Sequence, residues 1–109
     1  MMEPERKVIK VEIRGNDYIQ LLGGPPESVS MRSGAVFLTP GQTVGKHNTN
    51  GNEELLIVLE GEGSLILNEN QQQKMEVNTV LYIPPDVEHD VLNTGSRILR
   101  YIYVTAKTK

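Results

Sequence analysis

Residues 41–61 read GQTVGKHNTNGNEELLIVLEG, and this stretch predicts the fold of the rest of the chain. It holds His47, one of only two histidines in the protein, and Glu54, which opens a run of strand-forming residues. Asn50-Gly51 lies between them and is a strong tight-turn signal, because both residue types tolerate positive φ. The stretch therefore predicts a β-hairpin that brings His47 and Glu54 side by side, roughly 5 Å apart.

The strand that follows this turn is apolar on both faces. Residues 55–59 read LLIVL, and alternation places Leu56 and Val58 inward behind Glu54. The neighbouring carboxylate, Glu53, then points away from the pocket and is read as a solvated turn residue. Because water covers neither face of such a strand, the outer face is predicted to pack against a second sheet or a second subunit.

The remainder of the chain repeats short strand patterns at intervals of about 10 residues, separated by glycine, proline and asparagine. The predicted strands occupy residues 7–14, 18–22, 29–38, 44–49, 54–59, 64–67, 74–77, 80–83, 88–92 and 98–105. No segment shows a helical period, so we expect an all-β sandwich or barrel. The 109 residues fit one domain, with residues 1–5 as a loose terminus. The strand over residues 7–14 is expected to extend a partner's sheet in a homodimer.

Composition narrows the function classes. The chain has no cysteine, so a metal site must use nitrogen and oxygen ligands. The net charge is −3 and the basic residues form no block, which argues against nucleic-acid binding. The acidic start is not a secretory signal, and the longest apolar run is far too short to cross a membrane. We expect a soluble, cytoplasmic protein without nucleic-acid or membrane partners.

The second histidine, His89, follows a proline turn on a later predicted strand. Closure of a barrel is expected to bring it opposite His47 and Glu54. Two imidazoles and one carboxylate form a facial triad whose open positions take water, dioxygen or a substrate oxygen. From spacing alone, a hydrogen-bonded or partly exposed histidine stays the alternative interpretation for either ring.

Two motifs strengthen the metal interpretation. Gly41, His47, Thr49, Glu54 and Gly61 are separated by five, one, four and six residues, and this pattern resembles the first signature motif of the cupin superfamily. Both histidines of the protein fall on motif positions, since His89 lies in the second pattern described below.

The second pattern occupies residues 78–93. Asn78, Pro84, Asp86, His89 and Asn93 are separated by five, one, two and three residues, which resembles the second cupin motif. Together the motifs span about half of the chain. The resemblance implies a double-stranded β-helix, or jelly-roll, barrel that binds a metal between the two motifs.

The resemblance also implies which residues hold the metal. His47, Glu54 and His89 fall on the ligand positions, and the ion would be divalent: Zn, Fe, Mn or Ni. The usual second histidine of the first motif is Thr49 here, which leaves three strong ligands and predicts weaker binding. The usual glycines of the second motif are Asn78 and Asp86, two residue types that tolerate left-handed backbone.

The predicted ligand is a small organic molecule. Thr49, Tyr101 and Tyr103 are candidate pocket-lining residues. The two tyrosines share one face of the last predicted strand, and Thr49 shares a face with His47. The resemblance implies a metal-dependent enzyme of the dioxygenase, decarboxylase or isomerase type. The alternative is a non-catalytic module that binds or senses a small molecule with a reduced or empty metal site, and the missing fourth ligand favours it.

Overall fold

The computed structural model describes residues 4–12, 17–68 and 71–109. Within these ranges the chain forms nine strands that pair into two antiparallel sheets. The strands are β1 (Ile19–Gly23), β2 (Arg32–Leu38), β3 (His47–Asn48), β4 (Asn52–Glu60), β5 (Glu62–Ile66), β6 (Gln72–Glu76), β7 (Val80–Ile83), β8 (Glu88–Leu92) and β9 (Leu99–Lys107).

The two sheets enclose one apolar core. The five-stranded sheet has the order β1-β2-β9-β4-β7, and the four-stranded sheet has the order β3-β8-β5-β6. Buried side chains from both sheets meet between them: Leu38, Leu56, Val58, Leu65, Met75, Leu81, Ile83, Val91, Leu99 and Tyr101. The predicted all-β, double-stranded β-helix barrel is confirmed. No described residue belongs to a helix long and apolar enough to span a bilayer.

Strand β4 shows the alternation that its sequence predicts. Glu54, Leu56 and Val58 are buried and face inward, whereas the residues between them are less buried. Glu53 faces outward, where its Oε1 accepts a hydrogen bond of 2.8 Å from the hydroxyl of Tyr82 on β7. The prediction that Glu53 points away from the pocket is therefore confirmed.

The turn chemistry also follows the sequence. Asn50 and Gly51 both have positive φ, of 50° and 84°, as the Asn-Gly pair predicts. Asn78 and Asp86, which replace the usual motif-two glycines, have φ of 68° and 62°. Asparagine and aspartate thus occupy left-handed positions that would otherwise need glycine.

The predicted N-terminal strand over residues 7–14 is wrong for the part that the structure describes. Residues 7–12 are in no strand, and residues 13 and 14 lie outside the described residues. An alternating pattern marks which side chains would share a face, but a strand also needs a backbone partner. Val8 is 97% exposed, and Lys7 contacts the rest of the chain through its side chain, which donates to the carbonyl of Glu27.

Two further strands, β2 and β3, begin three residues later than predicted. Strand β2 begins at residue 32 rather than 29, and β3 covers two residues instead of the predicted 44–49. Of the predicted loose terminus, residues 1–3 lie outside the described residues, while Pro4 and Glu5 are exposed and outside any strand.

Candidate metal centre

The two histidines lie next to each other on paired strands. In the antiparallel pairing of β3 with β8, His47 and His89 are direct register partners. Their ring centroids lie 4.2 Å apart, and the ring planes meet at 60°. Because opposite residues of an antiparallel pair share one face of the sheet, both imidazoles point toward the facing sheet.

The predicted hairpin between the His47 and Glu54 strands is wrong. Strand β3 pairs with β8 in the four-stranded sheet, whereas β4 pairs with β7 and β9 in the other sheet. The turn at Asn50-Gly51 therefore carries the chain from one sheet to the other instead of closing a ladder. Glu54 approaches the histidines from the facing sheet, and its Oε1 lies 2.8 Å from Nε2 of His89.

The three predicted ligands converge in space. One ligand atom from each of His47, Glu54 and His89 can be chosen so that all three lie within 4.8 Å of one another. Ligands of a common transition-metal ion lie about 3 to 3.5 Å apart, so modest side-chain rotations bring these atoms to one ion. His89 and Glu54 are buried and His47 is exposed, which leaves one side of the group open to a ligand.

Both imidazoles are held in the orientation that a metal needs. Nδ1 of His47 lies 2.8 Å from the carbonyl oxygen of Gly45, and Nδ1 of His89 lies 2.9 Å from that of Val87. A carbonyl oxygen only accepts, so each Nδ1 carries the proton and donates it. Each Nε2 is left to face the site, which is the arrangement found around metal-binding histidines.

A hydrogen bond joins Nε2 of His89 to the carboxylate of Glu54. Burial lowers the pKa of His89, but the hydrogen bonds to Glu54 and to the Val87 carbonyl outweigh burial and raise the pKa above its usual value. The carboxylate oxygen and Nε2 are only 2.8 Å apart, so a proton lies between them. A divalent cation at this position would take the place of that proton.

A cavity of about 660 Å³ adjoins the three residues. Tyr101 and Tyr103 of β9 line it, together with Thr49, as the sequence predicts for possible pocket residues. Much of the remaining wall is apolar, contributed by residues such as Leu38 and Val91. The arrangement is that of a small-molecule pocket with a few polar groups converging at one end.

Thr49 stands where the resembled motif has a further histidine. The residue is 8% exposed, and its Oγ1 has no hydrogen-bond partner among the described residues. A buried hydroxyl without a partner is costly, which points to a group that the protein alone does not supply. Two oriented imidazoles, one carboxylate and this hydroxyl form a donor set that fits a divalent ion with open coordination positions.

Replacing Thr49 with valine is expected to raise the free energy of unfolding of the metal-free protein by about 1 kcal/mol, because it removes a buried, unpaired hydroxyl. The control is Thr79→Val, where the hydroxyl donates to the carbonyl of Glu76, so the same change is expected to lower stability by a similar amount. Urea unfolding of both variants measures the difference. A loss of stability at Thr49 equal to that at Thr79 would show that the Thr49 hydroxyl is satisfied in the free protein.

Tyr18 also lines the cavity, although the sequence did not predict it as a pocket residue. The hydroxyls of Tyr18 and Tyr103 lie 2.6 Å apart, and both residues line the cavity. Their rings enclose Gly34 of β2, where an added Cβ would lie 2.5 Å from the Tyr18 hydroxyl and 2.7 Å from the Tyr103 ring. The signal in the sequence was Gly34 inside a strand, because glycine there indicates either a β-bulge or the close approach of another group. The structure shows a close approach at Gly34, whereas the bulge lies in β1, between Gln20 and Leu22.

The fold and the site together define a class: a two-sheet jelly-roll barrel with a histidine- and carboxylate-lined pocket between the sheets. A family model of the cupin domain matches residues 34–105, about two-thirds of the chain, so the chain belongs to the cupin family. No curated protein sequence matches the chain.

Solved structures show the same fold at low sequence identity. An RmlC-like cupin from Methanocaldococcus jannaschii matches with a TM-score of 0.77 and 21% identity over 94% of this chain and 91% of that one. A predicted oxalate decarboxylase from Thermotoga maritima matches with a TM-score of 0.69 and 18% identity over 93% and 99%. A Schizosaccharomyces pombe cupin domain matches with a TM-score of 0.74 and 20% identity; it covers 83% of this chain, which spans 63% of that structure.

Proposed function

We propose that this protein binds one divalent metal ion through His47, Glu54 and His89 and holds a small organic ligand in the adjoining cavity. The observation that carries the proposal is the convergence of three ligand atoms within 4.8 Å, from three strands in two sheets. The hydrogen bonds that orient both Nε2 atoms support it, because an accidental histidine pair needs no such orientation.

The donor set restricts the metal. Two imidazoles and one carboxylate, without thiolate, suit Zn, Fe, Mn or Ni, and we propose an ion of this group. When bound, such an ion supplies a Lewis acid with open positions for ligand oxygens. Thr49 lines the pocket beside the proposed metal ligands, and its hydroxyl has no hydrogen-bond partner among the described residues.

We propose an enzyme of the dioxygenase, decarboxylase or isomerase type as the first candidate. A solved structure with the same fold, from Thermotoga maritima, is described as a predicted oxalate decarboxylase, which supports including a decarboxylase among these types. The second candidate is a non-catalytic module that binds or senses a small molecule. It is favoured by Thr49, since a threonine in place of a fourth strong ligand weakens metal binding.

Elemental analysis tests the metal proposal directly. Protein purified without a histidine tag, then reconstituted with Zn, Fe, Mn or Ni and desalted, is expected to retain about one ion per chain for at least one of these metals. Equilibrium binding of a small-molecule library to the loaded and metal-free protein then separates a metal-dependent pocket from a metal-independent one. Substoichiometric metal after reconstitution with all four ions would contradict the proposal.

We also propose that two copies of the chain associate through the outer face of the five-stranded sheet. Neighbouring strands of this sheet carry an outer apolar patch consisting of Leu55, Ile57, Val80, Tyr82, Ile102 and Val104. Val80 and Tyr82 are 59% and 57% exposed in the single chain. The inner face of β4 already packs in the core, and a second copy would cover its outer face. An isologous pairing places like apolar patches against each other.

Light scattering at micromolar concentration is expected to give the mass of a dimer. Val80→Lys, which places a charge in the outer apolar patch, is expected to weaken the dimer by at least about tenfold. Val77→Lys is the matched control, because Val77 is 44% exposed and lies outside the patch in the turn after β6. A monomer mass for the unmodified protein would remove the proposal.

We further propose that the chain is one domain and acts in the cytoplasm, without nucleic-acid or membrane partners. Both sheets contribute to one core, which supports a single domain. The net charge of −3 and the scattered basic residues support the absence of a nucleic-acid partner.

A further inference from the structure

Tyr101 is a buried polar side chain that the metal site does not explain. It lies on β9, is 3% exposed and lines the cavity. Its hydroxyl takes part in no hydrogen bond with any residue in the described ranges. The hydroxyl oxygen is not fully enclosed by protein atoms, so it opens onto the cavity. Buried tyrosine hydroxyls are normally paired, which suggests that a ligand completes this one.

The surroundings of Tyr101 keep it a hydrogen-bond donor. Its register partners are Val36 on β2 and Val58 on β4, which offer no side-chain acceptor. Burial raises the pKa of Tyr101, and the negative charges of Glu54 and Asp90 raise it further. The hydroxyl therefore stays protonated and donates to an acceptor in the cavity.

Thr49 and Tyr101 both line the cavity, and each has a hydroxyl without a hydrogen-bond partner in the part of the chain that the structure describes. Thr49 is the unpaired residue next to the metal ligands, and Tyr101 lies on the wall formed by the facing sheet. Tyr103 differs, because its hydroxyl is already paired with that of Tyr18 at 2.6 Å. The Tyr101 hydroxyl, which opens onto the cavity, thus marks a position where a ligand oxygen is recognised. The paired tyrosines form a closed part of the wall.

The rest of the cavity wall is largely apolar, which favours a ligand with an apolar body. Val36, Leu38, Leu56 and Val91 contribute alkyl side chains to the cavity. The volume of about 660 Å³ falls within the range typical of pockets for drug-sized molecules, roughly 300 to 1,000 Å³. A two-carbon ligand would leave most of this apolar surface in contact with water.

The charged groups around the cavity determine which ligand charge is favoured. Glu54 is the one carboxylate residue among those lining the cavity in the described part of the chain. The Lys46 ammonium at the rim lies 3.6 Å from Glu88, which offsets its charge. A divalent cation bound by Glu54 therefore leaves a net charge of about +1 on the ion and its ligands, which a single negative charge balances. The nearby Asp90 carboxylate accepts hydrogen bonds from the amide N–H groups of Gly45 and Val91 instead.

We propose that the cavity binds a small monocarboxylate with an apolar body, whose carboxylate faces His47, Glu54 and His89 while Tyr101 donates a hydrogen bond to one of the ligand oxygens. This inference rests on the proposed metal site and adds the ligand class and a specificity-determining residue. It disfavours oxalate, which is a dianion without an apolar body.

Calorimetric titration of the metal-loaded full chain tests the ligand class with three probes: benzoate, benzyl alcohol and oxalate. Benzoate is expected to bind at least about tenfold more tightly than either of the others, because it alone combines one negative charge with an apolar ring. Tyr101→Phe is expected to weaken benzoate binding by about tenfold and to leave metal content unchanged. Tyr82→Phe removes the same atom on the outer surface and is expected to change neither quantity.

Metal content, measured on the same samples, distinguishes the two proposals. A protein that holds no metal defeats the metal proposal and this inference with it. A metal-loaded protein that binds benzoate no better than benzyl alcohol or oxalate overturns only the ligand class. Equal benzoate affinity in Tyr101→Phe and in the unmodified protein, or loss of metal from Tyr101→Phe, overturns the recognition role of Tyr101.

Discussion

Replacing Glu54 with glutamine is expected to lower the affinity for a divalent ion by about 100-fold or more. Loss of a group that merely orients a ligand costs roughly 10- to 100-fold, and Glu54 is proposed as a ligand itself. Glutamine keeps the shape of the side chain, and its amide N–H can donate a hydrogen bond to Nε2 of His89, whose Nδ1 carries the ring proton. The fold is therefore retained while the negative charge, which binds the cation, is removed. Competition against a chelating dye measures the affinity.

Glu53→Gln is the matched control for this experiment. The two glutamates are adjacent on β4, but Glu53 faces outward and accepts a hydrogen bond from Tyr82 at 2.8 Å. The same change one residue earlier is expected to leave metal affinity within about twofold. Equal losses at both positions would show that the general charge of the strand, and not coordination by Glu54, attracts the ion. Unchanged affinity in Glu54→Gln would remove Glu54 from the proposed ligands.

Gly61→Ala is expected to lower the free energy of unfolding by on the order of 4 kcal/mol. Gly61 has a φ of 82° at the junction of β4 and β5. A Cβ there would lie 2.1 Å from the carbonyl oxygen of Ile98 and 3.0 Å from Cα of Leu99. These are backbone atoms at the start of β9, so the whole strand must move to make room.

Gly41→Ala separates the two causes of that loss. Gly41 is the first glycine of the same motif and also has a φ of 82°, but an added Cβ would meet no atom within 4 Å. Its replacement is expected to cost only the left-handed backbone penalty, about 1 kcal/mol. Urea unfolding of both variants gives the difference as the steric contribution at Gly61. Equal losses would mean that close packing against Ile98 contributes nothing.

Several features of the site depend only on residues that are close together in the sequence, so the sequence predicts them. Period-two alternation on β4 separates Glu54 from Glu53, because successive side chains point to opposite faces of a strand. Asn50, Asn78 and Asp86 adopt positive φ because their short polar side chains tolerate the left-handed region. The spacing of the two motifs identified all three residues that converge in the pocket.

Other features depended on contacts between distant parts of the chain. The sequence indicated a turn after His47, but a tight turn is compatible with either a hairpin or a crossing to another sheet. The pairing of β3 with β8 joins residues about 40 positions apart and makes His47 and His89 direct neighbours. For the same reason the alternating residues 7–12 form no strand, since a polar–apolar pattern does not supply the partner backbone.

The amino-acid sequence by itself determined the strand-rich barrel, the left-handed turns and the identity of the candidate ligands, because each depends on side-chain type and on spacing along one strand. Only the tertiary structure decided that Glu54 reaches the histidines from the facing sheet and that Tyr18 packs over Gly34 onto Tyr103. It also decided that the hydroxyls of Thr49 and Tyr101 have no hydrogen-bond partner within residues 4–12, 17–68 and 71–109. Those features arise where two sheets meet, and the distances between sheets are set by the packing of the whole core.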